Sequence, residues 1–204
     1  MVAIVDYGVG NLFSLRSSLK NLNQDAVVTS DPETIRDAGR VILPGVGAFG
    51  DAADKLRKTG LDEIVKEQAE KGKPLLGICL GMQLLFEKSY EFGEHAGLGL
   101  LKGSIVPMQG TIPEDLKIPQ MGWNSLIIRR SHPLLREIKE GDCVYFVHSY
   151  YASGCEESLI ASCEYGREIT AAVASGNVMG CQFHPEKSGR VGLSILKAFC
   201  EVTV

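Results

Sequence analysis

The stretch of sequence that most limits the fold is Gly-Ile-Cys-Leu-Gly at residues 77–81. An apolar run precedes it and a segment of helical periodicity follows it, so the chain must turn from a strand into a helix at Cys79. Glycines on both sides of the turning residue relieve crowding, an arrangement typical of the nucleophile elbow. Such a cysteine lies at the carboxyl edge of the sheet, beside a helix N-terminus that favours the thiolate. The alternative is a buried structural cysteine between two packing glycines, and the pentapeptide alone leaves both interpretations open.

The first half of the chain alternates apolar runs with segments of helical periodicity. The predicted elements are strands at 2–5, 26–29, 40–43 and 74–78, and helices at 12–22, 30–38, 51–72 (interrupted at Gly60) and 80–88. Strands joined by helices of this length predict a parallel sheet covered on both faces. After a glycine-rich segment at 91–103, predicted to be a loop, the strand patterns are closely spaced. We therefore predict one α/β domain over residues 1–204, with a central mixed, mostly parallel sheet flanked by helices.

Composition excludes several classes of function. The net charge is −4 and no long basic run occurs, so we do not expect nucleic acid as a partner. The six cysteines and four histidines lack zinc-type spacing, and we predict neither a metal nor a cofactor. The short apolar run at the N-terminus has no basic region before it and meets an acid at Asp6, which is typical of neither a signal peptide nor a membrane span. We expect a cytoplasmic chain with reduced thiols.

A nucleophilic cysteine needs a base, and the base needs an orienting group. His184 and Glu186 are separated only by Pro185, which biases His184 toward extended backbone. Because residues two apart in an extended segment point the same way, the Glu186 carboxylate is expected to reach the His184 imidazole. The alternative is a surface His-Pro turn. His148 is the rival base, but it has no carboxylate near it in sequence and is better interpreted as a hydrogen-bonded wall.

A second glycine motif follows the third predicted strand. Gly45, Gly47 and Gly50 match the dinucleotide fingerprint Gly-x-Gly-x-x-Gly, and Asp62 or Glu63 lies at a plausible distance for a ribose contact. The motif follows the third strand instead of the first and opens with a proline, which argues against that interpretation. We favour an oxyanion hole, formed by backbone N–H groups from a set of four residues: Gly45, Val46, Gly47 and Leu80.

Several segments together resemble a known family. Pro-Gly-Val-Gly-Ala-Phe-Gly-Asp (44–51), the elbow and its helix (77–87) and Gly-Cys-Gln-Phe-His-Pro-Glu-Lys-Ser-Gly (180–189) resemble the class I glutamine amidotransferases. The segments at 4–15, 118–124 and 146–151 narrow this resemblance to the glutaminase subunits of imidazole glycerol phosphate synthases, of histidine biosynthesis. It runs essentially end to end.

The resemblance implies a role for each site residue. Cys79 attacks the glutamine side-chain amide, His184 protonates the leaving ammonia and then activates water, and Glu186 orients His184. A glutamyl thioester forms and is hydrolysed to glutamate. Gln83, one helical turn after Cys79, is expected to hold the substrate, unless it is an ordinary solvated helix residue. Backbone groups of Ser149 and Tyr150 are expected to bind the α-carboxylate or the α-amine.

The resemblance also implies a partner. Free ammonia takes up a proton in water and loses its nucleophilicity, so the family passes it along a covered channel into a separate (β/α)₈-barrel cyclase. The cyclase uses it to make imidazole glycerol phosphate and an aminoimidazole carboxamide ribotide. The residues expected at the partner interface or channel are Trp123, Gln120, Met121, Asn124, Tyr145 and Lys187. Core packing is the alternative for Trp123.

Ammonia made without an acceptor is wasted, so control of the glutaminase is chemically sensible. Gly45 and Gly47 offer a mechanism, because they permit peptide orientations that are closed to other residues. We predict that the free chain is a poor glutaminase whose oxyanion loop is set by the docked cyclase. The rival functions are a cysteine peptidase or esterase, a dinucleotide-binding module, and a catalytically inactive regulatory subunit.

Overall fold

The computed structural model of the chain describes residues 1–203. Its first half alternates strands and helices, as the hydrophobic pattern predicts. The elements are β1 (Val2–Val5), α1 (Leu12–Asn21), β2 (Ala26–Thr29), α2 (Pro32–Asp37), β3 (Arg40–Leu43), α3 (Phe49–Lys58), α4 (Leu61–Glu70), β4 (Leu75–Ile78) and α5 (Leu80–Leu84). Gly60 has a φ of 71° and separates α3 from α4, where the sequence indicates an interruption.

The second half is mostly strands and ends with a helix. The elements are β5 (Phe86–Ser89), β6 (His95–Ala96), β7 (Leu101–Pro107), β8 (Gln120–Ser125), β9 (Ile127–Ile128), β10 (Cys143–His148), β11 (Tyr150–Ser153), β12 (Leu159–Glu164), β13 (Glu168–Ser175), β14 (Val178–Cys181) and α6 (Gly189–Glu201). Single turns of 3₁₀ helix lie at Pro133–Leu135 and Pro185–Lys187. The segment 91–103, predicted to be a loop, contains β6 and the beginning of β7, so that prediction is wrong in part.

The helix after the elbow is shorter than its pattern predicts. A helix was expected over residues 80–88, but α5 ends at Leu84 and β5 begins at Phe86. The carbonyls of Leu84 and Leu85 accept backbone N–H groups of Leu98 and Leu100, each at 2.8 Å. These tertiary hydrogen bonds replace the next helical turn, because carbonyls at a helix end need partners and a distant segment supplies them.

The main sheet has eight strands in the order β2-β1-β3-β4-β14-β13-β12-β9. The five strands from β2 to β14 run parallel, whereas β13, β12 and β9 are antiparallel additions. This confirms the predicted fold class, an α/β domain with a mixed, mostly parallel sheet. The side-by-side pairing of β4 and β14 matters most for function, because it brings the ends of these two strands together.

Both faces of the main sheet are covered. On one face, α1 and α6 pack Leu15, Leu19 and Phe199 into one apolar cluster. On the other, α2, α3 and α4 contribute to a second cluster, which includes Ile35 and Leu56. Two smaller sheets, β10-β8 and β11-β7-β5-β6, lie outside the main one. Within residues 1–203, no helix is both long enough and apolar enough to cross a membrane.

Candidate active site

Cys79 forms a tight turn between β4 and α5. Its φ of 54° and ψ of −111° lie in a region that residues other than glycine rarely adopt. The flanking glycines make this turn possible: a Cβ at Gly81 would collide with the Leu43 carbonyl oxygen, and one at Gly77 would lie 2.6 Å from Met82 Cα. Backbone strain with two obligatory glycines is the geometry expected of a nucleophile elbow.

His184 lies beside the elbow because β14 pairs with β4 in the sheet. Its Nδ1 is 2.8 Å from Glu186 Oε1, and both side chains are only 3% exposed. The sequence argument expected this contact from an extended segment. Only His184 has extended backbone, and Pro185–Lys187 is a turn of 3₁₀ helix that brings the carboxylate to the imidazole. The predicted pairing is therefore present, with a different local geometry.

The electrostatic environment of His184 holds it as a cation. Burial alone would lower the pKa of His184, but hydrogen bonds to Cys79 and Glu186 outweigh burial and raise the pKa to about 9. The imidazolium therefore lies between the sulfur of Cys79 and the Glu186 carboxylate. An acid that is protonated at neutral pH and touches the sulfur is suited to deliver a proton to a leaving group.

His148, the rival base, lies in the same cavity but in a different state. Its side chain is buried, and Nδ1–H donates to the Tyr150 carbonyl oxygen at 2.8 Å. Burial lowers the pKa of His148 to about 4. The hydrogen bond to Tyr150 only partly opposes this decrease, and the nearby charge of His184 adds to the decrease. His148 is therefore neutral and fixed in one tautomer, and it has no carboxylate partner.

The loop after β3 packs directly against the elbow. A Cβ at Gly45 would lie 2.8 Å from Tyr7 Oη and 2.9 Å from Gly81 N, so only glycine allows this approach. The Tyr7 hydroxyl donates to the Pro44 carbonyl oxygen at 2.7 Å, which fixes the Pro44–Gly45 peptide. Gly47 has a φ of 100°, in the region that favours glycine. The conformational freedom of this loop therefore begins after Gly45.

The dinucleotide interpretation of this loop does not fit its surroundings. The loop faces the elbow, and a Cβ at Gly50 would lie 2.7 Å from His95 Cε1, so that glycine serves packing. Asp62, which would bind a ribose, is buried in α4, outside the residues that line the cavity.

Most of the predicted site residues line one cavity of about 550 Å³, whereas Gly45 and Glu186 are not among its lining residues. Its size is within the range of small-molecule pockets. From the sequence-based prediction it contains Val46, Gly47, Cys79, Leu80, Gln83, Ser149, Tyr150 and His184. It also contains His148, the rival base, and six residues that the prediction did not assign to the site, namely Glu91, Phe92, Gln109, Ile118, Pro119 and Val147.

Gln83 is a buried member of this cavity, not a solvated helix residue. Its Nε2 donates to the Tyr150 carbonyl oxygen at 3.1 Å and to Gln182 Oε1 at 3.0 Å. Because an amide nitrogen carries two hydrogens, both are used within the protein. Only the carbonyl oxygen of Gln83 is left to accept a hydrogen bond from a bound molecule.

Glu91 is the main cavity residue that sequence reasoning missed. Its carboxylate accepts the Phe49 N–H, at the first turn of α3, at 2.6 Å. Burial raises the pKa of Glu91, and the hydrogen bond from Phe49 partly opposes this. Glu91 belongs to a glycine-rich segment with other acids nearby, and no motif distinguishes it there. Phe92, beside it, is 86% exposed and lies edge-on to the Tyr150 ring.

Of the residues expected at a partner interface, three are exposed, two are half-buried and one is buried. Met121 and Trp123 on β8 are 62% and 57% exposed. The Trp123 and Tyr145 rings are 6.1 Å apart, and Lys187 Nζ lies 6.0 Å from the Tyr145 ring centre. Gln120, by contrast, is fully buried and donates to Asn124 Oδ1 at 3.0 Å, so it supports β8 from beneath.

Comparison with known proteins places this site in a family. The family model "Glutamine amidotransferase class-I" matches residues 3–202. A protein named imidazole glycerol phosphate synthase subunit HisH, from Caldanaerobacter subterraneus subsp. tengcongensis, is 54% identical over 99% of this chain and 98% of its own length. HisH proteins of Wolinella succinogenes and Oceanobacillus iheyensis are 52% and 51% identical, over 99% of this chain and 100% and 99% of their own lengths.

Solved structures agree on the fold. A structure described as a glutamine amidotransferase superposes with a TM-score of 0.75 at 20% identity, over 98% of this chain and 100% of its own. The structure of PurLQS from Thermotoga maritima gives a TM-score of 0.72 at 23% identity, over 98% and 96%. Since both the family model and relatives at half identity span nearly the whole sequence, the chain belongs to the class I glutamine amidotransferase family and, within it, to the HisH subunits of imidazole glycerol phosphate synthase.

Proposed function

We propose that this chain hydrolyses L-glutamine to L-glutamate and ammonia as the glutaminase subunit of an imidazole glycerol phosphate synthase, in histidine biosynthesis. The observation that carries the proposal is the buried array of Cys79, His184 and Glu186 at one sheet edge. The identity of about half to relatives of that name supports the substrate and the pathway.

The chemistry follows from the state of each group. The Cys79 sulfur attacks the side-chain carbonyl carbon of glutamine, and the carbonyl oxygen becomes an oxyanion. We assign the stabilisation of that charge to the N–H of Leu80 at the first turn of α5 and to N–H groups of the loop at 45–47. His184 gives its proton to the leaving ammonia, which leaves a glutamyl thioester. Neutral His184 then takes a proton from water, and hydroxide attack releases glutamate and the thiolate.

The substrate is held by groups whose charges match an amino acid. The Gln83 carbonyl oxygen and the Glu91 carboxylate are the acceptors for the N–H groups of glutamine, and the acid suits its α-ammonium. The carbonyl oxygens of Ser149 and Tyr150 already accept hydrogen bonds from Met108 and from His148 and Gln83. This favours binding of the α-carboxylate by their N–H groups, in place of binding of the amine by their carbonyls.

The exposed apolar side chains suit a docked partner. We group as one apolar patch Met121 and Trp123, which are exposed on β8, and Ile118 and Val46, which line the cavity and are 40% and 42% exposed. Apolar side chains grouped in this way mark interaction sites. We assign this patch, with Tyr145 and Lys187 at its edge and with Gln120 and Asn124 beneath it, to the (β/α)₈-barrel cyclase that receives the ammonia.

The extent of the domain and the location of the protein belong to the same proposal. The whole chain, residues 1–204, forms one glutamine amidotransferase domain, which the family match over residues 3–202 supports. Its location is cytoplasmic, as expected of a subunit that supplies a biosynthetic enzyme with a reactive intermediate. The steps given above use only protein groups and water.

The test of function is Cys79→Ala in the complex with the cyclase. Glutamine-dependent synthesis of imidazole glycerol phosphate should be abolished, whereas synthesis from added ammonium salt should survive because the barrel performs that step. Cys143→Ala, which removes an exposed cysteine, is the matched control and should retain both activities. Normal glutamate release by Cys79→Ala would show that the nucleophile is another residue. Hydrolysis of ester or peptide reporters in place of glutamine would favour the peptidase alternative.

The loop at 45–47 is proposed to switch with the partner. Tyr7 fixes the Pro44–Gly45 peptide, so a change of orientation must occur at the next peptides. Loss of one oxyanion donor costs about 10²–10³ in rate, which is enough to keep the free chain nearly silent. Glutaminase rates of the free chain, the complex and the complex with its nucleotide ligand test this. Full activity of the free chain would show that the loop is a static oxyanion hole.

A further inference from the structure

Gln182 is a buried polar residue that the mechanism above does not use. It has no exposed surface and follows β14 directly, two residues before His184. Its Nε2 lies 3.7 Å from Cys79 Sγ, and its Oε1 accepts Gln83 Nε2 at 3.0 Å. The side chain therefore connects the nucleophile with the substrate-binding wall of the cavity.

The direction of this connection is set by a main-chain group. The Tyr150 carbonyl oxygen can only accept, so Gln83 must face it with its amide nitrogen. The second hydrogen of that nitrogen points at Gln182, which must therefore face Gln83 with its carbonyl oxygen. The amide nitrogen of Gln182 is then left facing Cys79. The reversed orientation would put nitrogen against nitrogen and an oxygen lone pair against sulfur.

We propose that Gln182 is the hydrogen-bond donor that holds Cys79 as a thiolate and aims its sulfur at the substrate. This deepens the proposed glutaminase function and rests on it. A hydrogen bond to an ionised acceptor is about twice as strong as one to a neutral acceptor, so the contact favours thiolate over thiol. An amide does not titrate, so the donor remains in place at alkaline pH, where His184 loses its proton.

The test measures the thiolate directly, without glutamine or a partner. The rate of Cys79 alkylation by iodoacetamide is followed as a function of pH in a Cys143→Ala background, with Cys79→Ala as the blank. In Gln182→Met, which keeps the length of the side chain, the alkylation profile should move up by about one pH unit. Gln182→Glu should move it further, because a carboxylate then faces the sulfur.

A matched control separates this effect from general damage. Gln68 in α4 is a second buried glutamine, 2% exposed and away from the cavity, so Gln68→Leu should leave the profile unchanged. Cooperative thermal unfolding checks that each variant is folded. Folded Gln182→Met and Gln182→Glu with the native profile would overturn the proposal. A shifted profile in the Gln182 variants, together with an unsubstituted chain that releases no glutamate with its partner, would support the donor and count against the proposed function.

Discussion

Two regions of one cavity hold a buried histidine, and the two histidines are in opposite states. At the sheet edge, His184 lies between the Cys79 sulfur and the Glu186 carboxylate, and its pKa is raised to about 9. On the wall formed by β10 and β11, His148 contacts the Tyr150 carbonyl oxygen, and its pKa is lowered to about 4. Burial acts in the same direction on both.

The difference shows that burial does not decide the role of a histidine. Burial disfavours the charged imidazole in each case, and only ionised partners reverse the sign. A backbone carbonyl fixes the tautomer of His148 but carries no full charge, so His148 stays neutral. His184 therefore has a proton to give to ammonia, whereas His148 does not.

The largest expected effect comes from removing each histidine. His184→Ala should lower the turnover rate for glutamate release by about 10²–10⁴-fold, the usual contribution of a general acid–base group. His148→Ala should retain measurable turnover, because it removes a neutral wall. Steady-state glutamate release in the cyclase complex measures both. Equal losses in the two variants would remove the basis for preferring His184.

The next effect concerns stability as a function of pH. Between pH 6.5 and about 4, the unfolded chain binds a proton at His148 that the folded chain does not, so stability falls as the pH falls. Between pH 6.5 and about 9, folded His184 keeps a proton that the unfolded chain loses, so stability falls as the pH rises.

For His148 the shift corresponds to roughly 3 kcal/mol over the acid window. The free energy of unfolding, measured with urea from pH 4 to 9, should be highest near pH 6.5 and fall in both directions. In His148→Asn the decrease toward acid pH should become smaller, and the decrease toward alkaline pH should remain. An unchanged decrease toward acid pH in His148→Asn would show that other groups cause it.

A smaller effect tests the source of the His184 charge. Glu186→Gln keeps the shape of the side chain but removes its charge, so the pKa of His184 should fall. A hydrogen bond to a charged group contributes about 1.5–3 kcal/mol, so we expect a ten- to hundredfold loss of turnover. NMR titration of the His184 imidazole, with the His148 signal as internal control, measures the pKa. A pKa that stays near 9 would assign the charge to Cys79 alone.

The smallest effect is expected from removing the Tyr7 hydroxyl, which supports the loop after β3. Burial raises the pKa of Tyr7 above its ordinary value, and its hydroxyl donates to the Pro44 carbonyl. Tyr7→Phe removes this bond, which should cost about 1 kcal/mol of unfolding free energy and less than tenfold in turnover. The His184 titration should not change. A changed titration would mean that the loop, and not only Glu186 and Cys79, sets the charge of His184.

Local patterns in the sequence were sufficient to find the chemical groups. The glycines around Cys79 indicate a tight turn that larger residues would not permit. His184 and Glu186 lie two residues apart, so their pairing could also be predicted. Both signals lie within a few positions of the chain, where backbone sterics act directly. The order of strands and helices likewise follows from apolar periodicity, which reflects burial on each face.

Only the tertiary structure decided which groups surround them. The site also contains Glu91, Tyr7 and Gln182, which long-range contacts bring to it. Gln83 and Gln182, for example, are hydrogen-bonded although they are 99 positions apart in sequence. The length of α5 was also a tertiary outcome, because Leu98 and Leu100 capture the carbonyls that would continue the helix. The different protonation states of His184 and His148 were also decided by the tertiary structure. The protonation state of each histidine is set by neighbours that strand pairing brings together. A local sequence pattern does not show which charged groups from distant parts of the chain will lie beside a residue.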